Sequence, residues 1–250
     1  MVSLAEIRLQ AASSSENHII TTEYRSQVNL NLYDAPTCES LATQAAAGRH
    51  LRIFIPSADN GEHLLTTGDI PAIRVQLVED DYPGWLAITD LDHLEPAPEP
   101  YQAPVFSRED IEARLDAVIA FTLRAIEVPN EYLWGGTVAP NYDCSGLMQA
   151  AFASEGIRLP RDAYQQEAFT QAIPLAELEP GDLIFFGTPE RATHVALYLG
   201  DGRYIHSSGK KDGRNGIGID TLNPDSHPVS QFYYQRLRGA GRVMTSYLPG

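Results

Sequence analysis

Asn141-Tyr142-Asp143-Cys144-Ser145-Gly146-Leu147 holds one of only two cysteines in the chain. A glycine-rich loop, Trp134-Gly135-Gly136, precedes it, and the apolar segment Leu147-Met148-Gln149-Ala150-Ala151-Phe152 that follows reads as a helix. A thiol at a loop-to-helix junction sits at the positive end of the helix dipole. There the thiolate is favoured over the thiol, and the thiolate is the nucleophile. The stretch therefore predicts a cysteine nucleophile, and the flanking sequence must supply its base.

Working outward, the pattern upstream is helical. Ser107 with Asp110 three residues on reads as a capping box. Ile111, Leu115, Val118, Ile119, Thr122 and Ile126 then share one helical face as far as Pro129. Downstream, Gly156 and Pro160 close the cysteine helix, and Arg161 to Thr170 predicts a shorter one that Asp162 can cap. Arg161 is expected to pair with one of the many carboxylates. After Pro180-Gly181 the period changes to that of strands: Asp182 to Phe186, His194 to Leu199 and Gly202 to His206, with Ile217 to Ile219 and the segment around Tyr233 to Val243 as further candidates. Helices followed by antiparallel strands imply an α+β class.

A cysteine hydrolase needs a general base and a group that orients it. His194 and His206 flank the turn Gly200-Asp201-Gly202. With a plain two-residue turn they would point to opposite faces of the sheet. With an odd-length turn or a bulge, position 196 faces 206 and the histidines become diagonal neighbours within hydrogen-bonding reach. A bulge or an odd turn is therefore expected. His18, His50, His63, His93 and His227 are read as structural or surface residues, and Cys38 as a buried apolar one.

The first part of the chain differs in character. Residues 1–25 are polar and read as an extension. Residues 26–92 carry short alternating runs, Val28 to Tyr33, Leu51 to Ile55, Ala72 to Val78 and Trp85 to Ile88, with a short helix allowed at Ala42 to Ala47. Short strands at this density suggest a small barrel. Residues 93–107 hold four prolines and read as a spacer before a second domain over 108–250.

The formal net charge of −15 argues against nucleic acid or an anionic membrane surface as a partner, since both need a basic face. No run approaches the roughly 18 apolar residues of a membrane span. The start of the chain, Met1-Val2-Ser3-Leu4, has no signal-peptide pattern, so a cytoplasmic location with both cysteines reduced is expected.

Taken together, Tyr132-Leu133-Trp134-Gly135-Gly136, Asp143-Cys144-Ser145-Gly146, Pro180 to Phe186, His194 to Leu199 and Tyr204-Ile205-His206 resemble the NlpC family of cell-wall cysteine peptidases over about 108–250. The resemblance implies a papain-like fold and a Cys-His-His triad of Cys144, His194 and His206 that cleaves peptide bonds of bacterial peptidoglycan without a metal or other cofactor. It implies Tyr132, twelve residues before Cys144, as an oxyanion donor. Tyr82-Pro83-Gly84-Trp85 is similar to the Tyr-x-Gly-Trp signature of bacterial SH3-like barrels. The pairing of domains resembles γ-D-glutamyl-L-diamino acid endopeptidases, in which the barrel walls off the substrate cleft. By that likeness Asp143 and Asp162 hold the free amine of an N-terminal L-Ala, while Tyr82, Trp134 and Ser145 line the site. Ala163 departs from the serine found there in some relatives.

The resulting expectation is a cysteine endopeptidase that trims free peptidoglycan peptides between γ-D-Glu and a diamino acid such as meso-diaminopimelate, in murein peptide recycling. A wall-remodelling or lytic peptidase that uses the barrel for targeting is one alternative, and a non-catalytic wall-binding protein is the other.

Overall fold

Alternation of apolar and polar residues builds the first part of the protein. The computed structural model describes residues 2, 7, 19–54 and 72–250. They divide into two compact units, Met1–Ala103 with Pro249–Gly250, and Pro104–Leu248.

In the first unit seven strands, β1 (Ile19–Ser26), β2 (Leu30–Tyr33), β3 (Leu41–Ala45), β4 (His50–Phe54), β5 (Ala72–Leu77), β6 (Pro83–Ala87) and β7 (Leu94–Pro96), form one sheet. Its order is β3-β2-β6-β5-β4-β1-β7, and each recorded pairing is antiparallel. In β4, Leu51 and Ile53 are fully buried while His50, Arg52 and Phe54 are half-buried, the period of two that marks a sheet with one core face.

Three sequence expectations need correction in this unit. Ala42 to Ala47 is not helical. Leu30 pairs with Ala45 and Leu32 with Thr43, so tertiary pairing overrides the helix propensity of alanine. The polar extension and the proline spacer each give a strand to the sheet, β1 and β7. Polar pairing holds them in place. Buried Glu23 accepts from Arg52 at 3.0 Å and from the Tyr101 amide at 2.7 Å, and Arg25 of β1 meets Glu95 of β7 at 2.6 Å. Apart from Val2 and Ile7, residues 1–18 lie outside the described residues, as do Ile55 and His63.

The second unit begins with α1 (Arg108–Glu112) and α2 (Leu115–Glu127). The Ser107–Asp110 capping box starts α1. The single helix expected here is broken at Ala113-Arg114, where the Arg114 amide bonds to the Ile111 carbonyl and tightens the turn. A small ribbon, β8 (Thr137–Val138) and β9 (Asn141–Tyr142), leads into α3 (Cys144–Ala153) and then α4 (Ala163–Phe169). The sheet follows: β10 (Gln171–Ile173), β11 (Leu183–Gly187), β12 (Ala192–Gly200), β13 (Arg203–Ser208), β14 (Gly216–Thr221) and β15 (Leu237–Arg242), with α5 (Pro228–Tyr234) before the last strand. Tyr233 is therefore helical rather than part of a strand. The order is β10-β15-β11-β12-β13-β14.

Both faces of this sheet are covered, which explains why β11 reads as an unbroken apolar run. Leu183, Phe185, Val195, Leu197 and Ile205 join Leu147, Met148 and Phe152 of α3 in one core. Ile184, Phe186, Ala196 and Tyr204 pack with Val229 and Tyr233 of α5 in another. Each fully buried Leu or Phe side chain contributes about 1.5–3 kcal/mol. The cysteine helix is thus clamped to the strands that carry the two histidines.

Candidate active site

The start of α3 is fixed by a carboxylate and two glycines. Asp143 is the N-cap: its Oδ1 accepts from the Gly146 amide at 2.6 Å, and its Oδ2 accepts from the Gly135 amide at 2.9 Å. Gly135 has φ +79°, in the left-handed region. The Gly136 amide bonds to Leu133 O, and the Asp143 amide bonds to Gly136 O at 3.0 Å. Gly146 stands so close that an added Cβ would collide with the Gly136 carbonyl oxygen. Gly146→Ala should therefore destabilise the protein by about 3 kcal/mol, the upper end of overpacking costs, because the obstacle is backbone. Urea unfolding checks this, and a loss within about 0.5 kcal/mol would contradict the close approach.

Arg161, 1% exposed, holds this corner from the other side. Its Nη2 donates to Asp143 Oδ2 at 2.6 Å, and its Nη1 donates to Asp143 Oδ1 at 3.1 Å and to Ser145 Oγ at 2.9 Å. Ser145 Oγ donates in turn to Asp143 Oδ1 at 3.2 Å. A carboxylate has about four acceptor positions. Asp143 already accepts from two amides, a hydroxyl and a bidentate guanidinium. Asp143 and Ser145, expected to face a ligand, instead lie in an interior network that sets the geometry around Cys144. The carboxylate partner foreseen for Arg161 is thus Asp143.

The register of β12 with β13 runs from Leu197 with Ile205 through Tyr198 with Tyr204 toward the turn. Away from the turn, the Val195 amide donates to Cys144 Sγ, as does the Ser145 amide. The sulfur therefore lies against the residue that follows His194. Ser207 of β13 also donates to Tyr142 O at 2.6 Å and ties that strand to the cysteine loop. Burial pushes the thiol up to about 12, with Asp143 second, while the two amides and Arg161 oppose the shift. This corrects the expectation from helix position alone. The helix start does favour the thiolate, but burial outweighs it, and Cys144 rests as a thiol that needs a base. Both cysteines are free.

The expected irregularity is present in the hairpin. Gly200 pairs with Arg203 around a two-residue turn, and a bulge between Tyr198 and Gly200 restores the register that puts both histidines on one face. His194 Nε2 lies 2.7 Å from His206 Nδ1. His194 is 8% exposed and His206 is fully buried. Burial, and then the neighbouring His206, holds His194 well below its ordinary value of 6.5. His206 is also lowered, by burial first, against the pull of Asp220.

Tyr233 of α5 stacks on His194 at 4.3 Å between centroids and meets His206 edge-on at 4.8 Å. Its hydroxyl is 2.8 Å from Ser208 Oγ. Behind His206, Asp220 Oδ2 lies 2.8 Å from Nε2. The sequence reading missed Tyr233, Ser208 and Asp220. Asp220 had a usable signal, the alternation Gly216-Ile217-Gly218-Ile219-Asp220. Tyr233 had none, because its approach depends on how α5 docks.

The other expected site residues are placed as follows. The Tyr132 phenol is pushed far above its usual range by burial, then by Cys144 and Asp143, and so stays protonated near the sulfur. Its ring lies 3.8 Å from where a Cβ on Gly209 would be. Trp134 is 71% exposed, which suits a wall residue and excludes a core one. Asp162 is half-buried and caps α4, with its amide bonded to Gln165 Oε1 at 2.9 Å. Ala163 follows it, buried, as the first residue of α4. Tyr82 belongs to the first unit, in the turn between β5 and β6, where its carbonyl accepts from the Leu77 amide at 2.9 Å.

Residues 129–239 match the NlpC/P60 family, and residues 32–91 match the bacterial dipeptidyl-peptidase Sh3 domain. A gamma-D-glutamyl-L-lysine dipeptidyl-peptidase of Bacillus subtilis is 42% identical over 79 residues, 30% of this chain and 27% of that protein. A probable endopeptidase p60 of Listeria seeligeri is 36% identical over 112 residues, 45% of this chain and 19% of its own length. The chain thus spans about a fifth to a quarter of the length of these curated relatives. A solved NlpC/P60 family protein from Bacillus cereus aligns over 97% of this chain and 67% of its own at 23% identity, with a TM-score of 0.44. The chain carries an NlpC/P60 domain of α+β fold over residues 129–239, after a bacterial dipeptidyl-peptidase Sh3 domain over residues 32–91.

Proposed function

We propose that this protein is a cysteine endopeptidase that cleaves the bond between γ-D-Glu and a diamino acid in peptidoglycan stem peptides with a free N-terminal L-Ala. The observation that carries the reading is the buried thiol of Cys144, bonded by the amide of the residue that follows His194, together with the hydrogen-bonded pair of His194 and His206. Cys144 attacks the scissile carbonyl carbon while His194 takes the thiol proton. His194 then returns that proton to the leaving amine, and a thioester to Cys144 remains. Water, deprotonated by His194, hydrolyses the thioester and restores the thiol.

The charge that develops on the carbonyl oxygen is met by the Tyr132 hydroxyl and the Cys144 backbone amide, and losing such a donor costs roughly 3–4 kcal/mol of transition-state stabilisation. With Asp143 engaged by Arg161, recognition of the substrate ammonium passes to the half-buried Asp162. The name of the Bacillus subtilis relative, a gamma-D-glutamyl-L-lysine dipeptidyl-peptidase, supports this choice of bond. The reading extends to a cytoplasmic role in recycling free peptides, for which cell fractionation is the test.

The direct assay uses L-Ala-γ-D-Glu-meso-diaminopimelate with a free and with an acetylated amine. The free peptide should be cut at the γ-D-Glu bond, with the acetylated one slower in kcat/KM by about 10²-fold or more, because a site built around a polar group rejects its blocked form. Equal turnover would overturn amine recognition. No cleavage of either would overturn the peptidase.

A further inference from the structure

Asp220 ends the alternating run of β14 and is 4% exposed. His206 of β13 pairs directly with Gly218, so the face of β14 that carries Gly218 also carries Asp220. Gly218 leaves room for Arg214, whose guanidinium a Cβ at that position would strike. Arg214 Nη2 donates to Asp220 Oδ2 at 2.6 Å, and Ser230 Oγ donates to Oδ1 at 2.9 Å. His206 Nε2 is the third partner. Although burial opposes ionisation, His206 and Arg214 together hold the Asp220 carboxyl below its usual range. Asp220 is therefore an ionised carboxylate, which can only accept hydrogen bonds.

We propose that Asp220 is a positioning residue that sets the tautomers of both histidines. An acceptor at His206 Nε2 requires the proton on that nitrogen. His206 Nδ1 then carries a lone pair, and the 2.7 Å contact with His194 requires a proton on His194 Nε2. That leaves His194 Nδ1 as the one unprotonated nitrogen on the ring, free to take the Cys144 proton. With no acceptor behind His206, its proton could move to Nδ1, and His194 would be turned to the form whose outward nitrogen is already protonated. Arg214 offsets the charge of Asp220, so the carboxylate fixes a tautomer without drawing a second proton onto His206. The assignment rests on the proposed pairing of Cys144 with His194.

The test uses full-length protein labelled with ¹⁵N-histidine, in which long-range ¹H–¹⁵N correlations at pH 7.5 report the protonated nitrogen of each ring. The wild type should show His194 and His206 both protonated at Nε2. In Asp220→Asn, whose amide can donate as well as accept, His206 should show Nδ1 protonation. Its kcat on the tripeptide should fall about 10²-fold with KM changed less than about threefold, the share a displaced base would lose. Wild-type His206 protonated at Nδ1 would overturn the proposal, and so would an Asp220→Asn variant with unchanged tautomers and kcat. The wild-type spectrum decides the tautomers even if the variant fails to fold. Wild-type protein that shows these tautomers but cleaves nothing would sink the peptidase reading and leave the role of Asp220 standing. Cleavage with the opposite tautomers would do the reverse.

Discussion

Arg161→Met is expected to destabilise the protein by about 3–5 kcal/mol, the cost of stranding a buried charge whose partner has been removed. Arg161 is 1% exposed, and its guanidinium holds both oxygens of Asp143. Methionine fills much of the volume but leaves the Asp143 carboxylate, 6% exposed, without its counter-charge. The exposed pair of Arg203 and Asp201, 4.0 Å apart, provides the contrast, and Arg203→Met should change stability by under about 1 kcal/mol. Urea midpoints for the two variants make the comparison. Equal, small losses would mean that Asp143 is held by its amide donors alone. The double variant with Asp143→Asn should recover part of the loss, since the stranded charge is then gone.

His194→Gln should lower kcat/KM by roughly 10²–10⁴-fold, the usual share of a general base. Glutamine keeps an N–H that can donate toward His206 Nδ1, so the loss reports proton transfer more than collapse of the pair. The same variant has a second, independent readout. Burial and His206 hold the His194 pKa well below 6.5 in the folded protein. As pH falls through 6.5 the unfolded chain binds this proton and the folded chain does not. The stability at issue is therefore complete above 6.5 and is lost as pH falls toward the lowered folded value. Wild-type urea midpoints should drop between pH 7.5 and pH 5, and His194→Gln should drop less. Parallel declines would show that His194 is not buried in its neutral form.

Much of the site was legible because it depends on local rules. The Asp143–Gly146 cap, the glycine loop and the capping box of α1 are short-range devices, and each follows from residue type and spacing. The bulge between Tyr198 and Gly200 was legible for a different reason: strands have a period of two, so two histidines can share a face only in certain registers. What failed was whatever depended on partners far along the chain. Ala42 to Ala45 became strand because β2 lies beside it, and the polar residues of β1 found Arg52, His50 and Glu95 as partners.

The sequence by itself singled out Cys144, His194 and His206 and most of the order of helices and strands, because these are written in motifs and periodicities. Only the tertiary structure decided the protonation and the second layer. Burial of Cys144 outweighs the helix start and keeps the thiol protonated. Arg161, remote in sequence from Asp143, turns a residue expected to meet a ligand into an interior anchor. Asp220 reaches His206 from the neighbouring strand and gives the histidine pair a direction. Burial and long-range hydrogen bonds depend on which surfaces meet, and no local stretch of sequence carries that information.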